Sequence, residues 1–415
     1  MREDNVFRDP IAIAIILGAV FFSANILSEN LLKVVAKENF GGNAVSSAIW
    51  VGIYGILFAL VITKRDTVNN LIDLCRRDMF LMFFILLAIL STIWSISPAV
   101  TLKKSLDITG VFFMGAYLAT RYDLKQMIKI FAAALTLLAI INLAFTLAYP
   151  DYVENNSDAI QKEDSRAGIV KNKNQLGHMM GLNALILLFM LFSGAKNKHR
   201  ILVFFTLSVF TLIMSESISS IVSLTATLCL AALLIYYKKS KYFNPAIFLS
   251  ILMIIVMAAT FTILNLEQVL NFMGKDLTLT GRTIIWQFSM ESIDKKPLLG
   301  YGYGAFWIGE LNSETYKVST MLKQEIAHAH NFLLDLLLEL GVVGASLFVI
   351  SFMKNIHYSI RLFIERKQIM MTWPLIFIAF FFISNFTETR MGRTASFILY
   401  IAQSLYVRKI IDKND

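Results

Sequence analysis

Charge is scarce in this chain. Asp, Glu, Lys and Arg make up 16% of its 415 residues, 57% are hydrophobic, and phenylalanine alone occurs 33 times. Soluble globular chains carry about 25% charged residues, so a water-facing domain of this composition would aggregate. Cysteine occurs twice. Cys75 falls in a basic segment and Cys229 in an apolar run, so neither belongs to an external disulfide framework. Histidine occurs five times, and no further ligands stand at zinc-site spacing, so no metal is expected. Strict apolar–polar alternation is missing, which excludes a transmembrane barrel. Internal repeats and low-complexity linkers are missing too, which leaves a single membrane domain. The glycine-aromatic stretch GYGYGAFW has no GK[ST] after it, so it is read as a turn and not as a phosphate loop.

Long apolar runs are what the sequence has in abundance. They lie near residues 11–27, 45–63, 79–97, 105–120, 126–148, 174–193, 201–216, 218–237, 246–265, 331–353, 369–387 and 394–409. About 20 apolar residues cross a bilayer core, so the expected fold is an all-α polytopic membrane protein of about twelve transmembrane helices. The first run follows MREDNVFRDP without a small-residue cleavage site and is read as a retained helix, not a signal peptide. The net charge of +9 does not indicate a nucleic acid, because its carriers are sorted by loop. Arg2 and Arg8, then Lys64, Arg65, Arg76 and Arg77, then Arg121 and Lys125, occupy every second loop. The pattern continues through Lys196, Lys198 and Arg200, then Lys238, Lys239 and Lys241, then Lys354, Arg361, Arg366 and Lys367, to Arg408, Lys409 and Lys413. This positive-inside alternation places both termini in the cytoplasm. The expected division is residues 1–265 with nine spans, an external loop 266–330, and residues 331–415 with three spans.

Two external segments, 149–173 and 266–330, are long for a membrane protein, and long loops are usually functional or disordered. Within the second, TGRTIIWQFSMESIDKKPLLG predicts an amphipathic helix. Thr280 is its N-cap, Lys295 and Lys296 occupy the last turn, and Pro297 stops it. Arg282 sits in the first turn, where the helix dipole disfavours a cation. Two readings remain: an anion site, or an arginine turned back to a carboxylate such as Asp276. SRAGIVKNKNQLGHMMG brings Arg166, Lys171 and Lys173 to the other segment. NFTETRMGR carries Glu388, Arg390 and Arg393 and reads either as a salt-bridged cap or as part of a site. MSESISS, with Glu216 and four serines, reads as a solvated hairpin. In AHAHNFLLDLLLELG, His328 and His330 stand at the rim of an apolar helix. Asn331, Asp335 and Glu339 form an i, i+4, i+8 stripe, and buried carboxylates need pairing or water, so that face is expected to line a polar cavity. A histidine at its mouth suits acid–base work.

These stretches, in their order, resemble the O-antigen ligase/polymerase superfamily of bacterial inner membranes. RAGIVKNKNQLG is similar to the family's segment before a middle helix. GRTIIWQFSMESIDKKPLLGYGYGAF, HNFLLDLLLELGVVG and NFTETR are similar to its long-loop, helix-entry and late-turn motifs. The resemblance implies a GT-C-type glycosyltransferase, multi-pass in the inner membrane, whose active site faces the periplasm. It implies a donor glycan on undecaprenyl diphosphate and no cofactor. Its partners would be this lipid-linked oligosaccharide, membrane lipid and a chain-length regulator. His330 maps to the family's essential histidine and Arg282 to its diphosphate-binding arginine. Arg166 and Lys173 would add cationic contacts, with Asn174, His328, Asn331, Glu388 and Arg390 as further substrate contacts. The turn SESISS lacks the arginine that family ligases commonly carry. The implied activity is therefore polymerase before ligase, with a transporter or lipid flippase as the alternative from another class.

Overall fold

The computed structural model describes residues 42–62, 65–149, 168–170, 172–239, 282–308, 314–322, 326–389 and 391–412, with single positions at 17, 18 and 23. The expected helices at 11–27 and 246–265, the N-cap Thr280, Asp276, and Arg166, Lys171 and Arg390 lie outside the described residues. Among the described residues all regular structure is helical. The helices are α1 Gly42–Ile62, α2 Arg65–Arg77, α3 Met79–Leu90, α4 Pro98–Arg121, α5 Leu124–Ala148, α6 Lys173–Phe192 and α7 Lys198–Met214. They continue as α8 Ile218–Lys239, α9 Arg282–Lys295, α10 Glu314–Leu322, α11 Phe332–Glu365, α12 Trp373–Thr387 and α13 Ala395–Ile411. Five helical segments are long and apolar enough to cross a membrane: α5, α6, α8, α11 and the stretch Ile369–Phe386 that contains α12. Ten of the apolar runs read from the sequence coincide with helices here. One helix was not expected: α2, within a segment read only as a basic loop. It buries Leu71 and Leu74 and ends in Arg76 and Arg77, the pattern of a helix lying in the membrane interface.

The bundle is held together as membrane proteins require, by close approach and by polar contacts between helices. α6 and α13 are buried on nearly every face and form its centre. A Cβ on Gly115 of α4 would lie 2.7 Å from Ile401 of α13, so these two helices touch almost backbone to backbone. Asn183 of α6 donates to Thr136 Oγ1 of α5 at 3.1 Å and to Ser208 Oγ of α7 at 2.8 Å. At the other end from the histidines, Asp78 caps α3 and pairs with Arg408 at 2.7 Å, with side chains 1% and 0% exposed. Ser351 donates to Asp78 at 2.6 Å, and Arg408 donates to the carbonyls of Arg77 and Ser351. This pair pins α3, α11 and α13 together.

α11 is not one helix. At Gly341 the backbone turns to φ 63°, ψ −167°. The nine residues before it span about 13 Å and the 24 after it about 36 Å, at 1.5 Å per residue. The second piece, 342–365, is long enough by itself to cross the roughly 30 Å hydrocarbon core. The expected span 331–353 is corrected accordingly: Asp335 and Glu339 ride on a short separate helix ahead of the crossing piece. The break releases backbone groups that would be costly unpaired, and the loop after α9 takes them. Val342 N–H donates to Pro297 O at 2.8 Å and Val343 N–H to Leu298 O at 3.3 Å. Tyr301 N–H donates to Leu338 O at 2.8 Å and Gly302 N–H to Glu339 O at 2.9 Å. The sequence motifs PLLGYG and ELGVVG are thus two sides of one seam. A Cβ on Gly341 would lie 2.2 Å from the Leu298 carbonyl, in a backbone region that non-glycine residues rarely adopt.

The same contacts set the level of the last turn between helices. Gly115 faces Ile401 and Asp107 pairs with Arg393 at 3.3 Å, so α4 and α13 run side by side in one direction. α13 therefore begins level with the third turn of α4, and the turn 388–394 lies about 13 Å below the start of α4.

Two outcomes are expected. Gly341→Ala lowers the unfolding temperature of the detergent-solubilised protein, by about 1–3 kcal/mol from backbone strain alone with the clash added. Gly52→Ala, with nothing within 4 Å of its Cβ, leaves it unchanged; equal effects would refute the seam. With Cys75 and Cys229 replaced, a single cysteine at exposed Thr320 reacts with an impermeant thiol reagent in intact cells, and one at exposed Lys367 does not. The reverse labelling would invert the topology.

Candidate functional site

The site is organised by one carboxylate. Glu388 follows α12 and is 3% exposed. Its Oε1 accepts Asn174 Nδ2 at 2.9 Å, Arg282 Nη2 at 3.1 Å and His330 Nδ1 at 2.9 Å. His328 Nε2 lies 3.3 Å from its Oε2. The four partners come from the start of α6, the first residue of α9, and the segment before α11. A buried carboxylate is stable only when paired and hydrogen-bonded, and here residues scattered over the chain serve that need.

The histidine segment is held in a strained shape. His330 has φ 52°, which bulky non-glycine residues adopt at a cost of about 1–3 kcal/mol and mostly at functional sites. Its neighbours fix it. Ala329 N–H donates to Asp335 Oδ1 at 2.8 Å, and Ala329 O accepts Trp286 Nε1 of α9 at 2.9 Å. Trp307 Nε1 reaches the same Asp335 oxygen at 2.7 Å, and Thr389 Oγ1 donates to Asp335 Oδ2. Asn331 accepts from the N–H groups of Leu333 and Leu334, capping α11. Asp335 therefore holds the loop instead of lining an open cavity, a correction to its sequence reading, and Asn331 caps the helix. Asn331 has its side-chain oxygen committed to the cap. His328 and His330 lie with ring centroids 4.3 Å apart, edge to face, although alternate residues on a helix could not meet this way.

The other residues singled out from the sequence divide. Arg282 does begin α9. It is turned to a carboxylate, but to Glu388, and one of its five N–H donors is used there. Asn174 joins the cluster directly; Lys173 opens α6 beside it and is half-buried. Arg393 pairs with Asp107 and does not meet Glu388. Ser217, from the turn read as a solvated hairpin, is buried and donates to Asn174 Oδ1 at 3.0 Å, so it positions the amide that reaches Glu388. Its signal in the sequence was four serines within six residues between two apolar runs.

His328, His330 and Glu388 offer ligand atoms within 4.8 Å of one another, enough to hold a metal ion. The donor set argues for another use. Arg282 and Asn174 already donate to the same Glu388 oxygen, and a guanidinium 3.1 Å from that oxygen would repel a divalent cation bound there. The arrangement favours an imidazole–carboxylate couple. If His330 Nδ1 carries the proton shared with Glu388, Nε2 is the acceptor for an incoming proton. Burial pushes the His330 imidazole below the usual histidine range, and its bond to Glu388 opposes this more weakly. The neutral, proton-accepting form is thereby favoured.

A model of the family described as O-Antigen ligase matches residues 202–349, a stretch that contains Arg282, His328 and His330 but ends before Glu388. The chain is 24% identical to the exopolysaccharide production protein ExoQ of Rhizobium meliloti over 346 residues, 76% of this chain and 75% of that one. It is 25% identical over 175 residues to putative polysaccharide ligases of Rickettsia felis and Rickettsia typhi, 41% of this chain and 42% of each.

Because the folded His330 binds its proton less tightly than an unfolded histidine, the unfolded chain holds more protons once the pH drops below about 6.5. Stability is expected to fall as the pH moves from 7 to 5, and less steeply in His330→Gln. An unchanged slope in the variant would show that His330 is not the responsible group. Glu388→Gln keeps the shape but loses the charge that balances Arg282. It is expected to reduce activity by about 10²–10⁴-fold while the protein still inserts and purifies.

Proposed function

The chain belongs to the O-antigen ligase/polymerase superfamily, and we propose that it is a polysaccharide polymerase that joins lipid-linked glycans. The donor is a glycan on undecaprenyl diphosphate, the acceptor another lipid-linked repeat unit, and the reaction takes place at the periplasmic face of the inner membrane in a GT-C-type fold. The observation that carries this reading is the convergence of His330, His328, Arg282 and Asn174 on Glu388. It sets a proton acceptor beside a planar cation, the two groups that transfer from a diphosphate requires.

The chemistry follows from the geometry. Glu388 holds His330 with Nε2 available. His330 takes the proton of the acceptor sugar hydroxyl as that oxygen attacks the anomeric carbon. The bond from this carbon to the diphosphate oxygen breaks, and undecaprenyl diphosphate leaves with the electron pair. Arg282 stabilises the leaving charge by its remaining N–H donors. Direct attack inverts the anomeric centre, and no step calls on a metal. Arg166 and Lys173 are proposed as further diphosphate contacts, and Arg390 as a substrate contact. A chain-length regulator is the expected protein partner.

The name of the Rhizobium relative, which spans most of the chain, favours exopolysaccharide assembly. The family description and the Rickettsia names favour the second reading, ligation to lipid A-core. Gene deletion separates them. Loss of a polymerase leaves single repeats on their normal acceptor, whereas long chains on undecaprenyl diphosphate above bare core would identify a ligase. At the site, His330→Ala is expected to lose about 10²–10⁴-fold in transfer, with His328→Ala milder. Arg282→Lys stays impaired because the ammonium lacks the planar fork. Excess EDTA leaves transfer intact; a loss restored by magnesium would refute the metal-free mechanism.

A further inference from the structure

A second group of cations gathers at Asp107 of α4. Arg393, five residues beyond Glu388 on the same turn, pairs with Asp107 of α4 at 3.3 Å, and its guanidinium lies 5.6 Å from the centre of the Trp50 ring. One of its buried nitrogens, Nη1, has no hydrogen-bond acceptor. Lys103 and Lys104 stand four and three residues before Asp107, on the same side of α4, and both are exposed. Lys104 lies within electrostatic reach of Arg393, Asp107 and Glu339. Its stem crosses the GYGYG turn, where a Cβ on Gly304 would come within 2.7 Å of Lys104 Cγ. The GYGYG turn thus packs against a lysine that stands about one helical turn before Asp107.

A purely structural ion pair needs one cation for Asp107. Here three cations face two carboxylates, Asp107 and Glu339, and Arg393 holds a buried donor without an acceptor. An orphaned charged donor is costly, and a multivalent anion rich in acceptor oxygens removes the cost. The spacing fits a particular anion. Five residues separate Glu388 from Arg393, so their backbones are at most about 17 Å apart. If the hydroxyl of a lipid-linked acceptor lies at His330, the diphosphate of that acceptor lies one repeat unit away from the transfer point.

We infer that Arg393, Lys103 and Lys104 form a second diphosphate site, which holds the isoprenyl diphosphate of the acceptor while the Arg282 site holds that of the donor. This assignment rests on the proposed transfer between two lipid-linked glycans. It gives the acceptor a site of its own, on the wall formed by α4, and gives the turn 388–394 the role of a bridge between the two.

The test is a binding stoichiometry on the full chain in nanodiscs of phosphatidylcholine, with farnesyl diphosphate as the probe and native mass spectrometry as the readout. The wild type is expected to bind two probes. Lys103→Gln with Lys104→Gln, two exposed positions that folding tolerates, is expected to bind one, and adding Arg282→Gln to bind none. The retained probe in the lysine variant reports that the protein is folded. One probe on the wild type, or two on the lysine variant, overturns the second site. Displacement of the second probe by an equal concentration of phosphatidylglycerol also overturns it, since the site would then be a general one for phospholipid headgroups. A kinetic arm separates this inference from its premise. In the lysine variant the acceptor KM is expected to rise by at least tenfold. Two probes on a wild type that transfers no glycan would refute the proposed function and leave the second diphosphate site standing.

Discussion

Everything at the histidine end of this bundle depends on how a broken helix satisfies its backbone. Where α11 turns at Gly341, carbonyls and N–H groups leave the helical ladder in surroundings with little water. Residues 297–302 meet them with four hydrogen bonds. The consequence is positional. α9 ends where this strip begins, so Arg282 is fixed relative to the break. The short helix 332–340 begins right after His330, so the histidines are fixed relative to the same break. The two pieces of chain that carry Arg282 and His330 are thereby clamped to a single backbone seam.

Electrostatics then completes what the seam positions. Glu388 faces a guanidinium, two imidazoles and an amide. The carboxylate is held by them, and they are aimed by it. Asp335 works one layer behind, where it accepts from Trp307, Thr389 and the Ala329 backbone and so supports the left-handed backbone of His330. Another buried ion pair, Asp78–Arg408, lies at the opposite end of the bundle, where it ties helices together. The two carboxylates differ in surroundings. Asp78 is shut in by the Leu81 N–H, the Ser351 hydroxyl and the Arg408 guanidinium, whereas Glu388 borders half-buried groups.

Much of this was legible in the sequence, and the limits are physical. Apolar runs announce helices because lipid demands them, so ten of the runs coincide with helices among the described residues, five of which are long and apolar enough to span a membrane. His330 and Arg282 stood out because scarce polar types at an apolar boundary need a reason. What the sequence hid were pairings across long separations. Glu388 meets residues 58, 106 and 214 positions away, and no periodicity encodes such contacts. For the same reason Asp335 passed for a cavity-lining residue when it is a scaffold, and Ser217 for hairpin solvation when it is buried. The glycines of GYGYG were visible as a turn, whereas ELGVVG was read within one continuous span; that each supplies the other's missing hydrogen bonds follows only from their meeting in space.

The break at Gly341 also sets a length. Unbroken, the 34 residues of α11 would form a rod of about 51 Å, far longer than the hydrocarbon core, and such an excess is relieved by tilting or by thickening the bilayer. Cutting the rod nine residues in leaves a crossing piece of more ordinary length and turns the surplus into a lever arm at the surface. The loop 297–302 is made before the helix it interrupts, so it is already present as the rod emerges. It acts as a ruler, deciding where immersion in lipid begins and therefore how high above the bilayer the reacting groups stand.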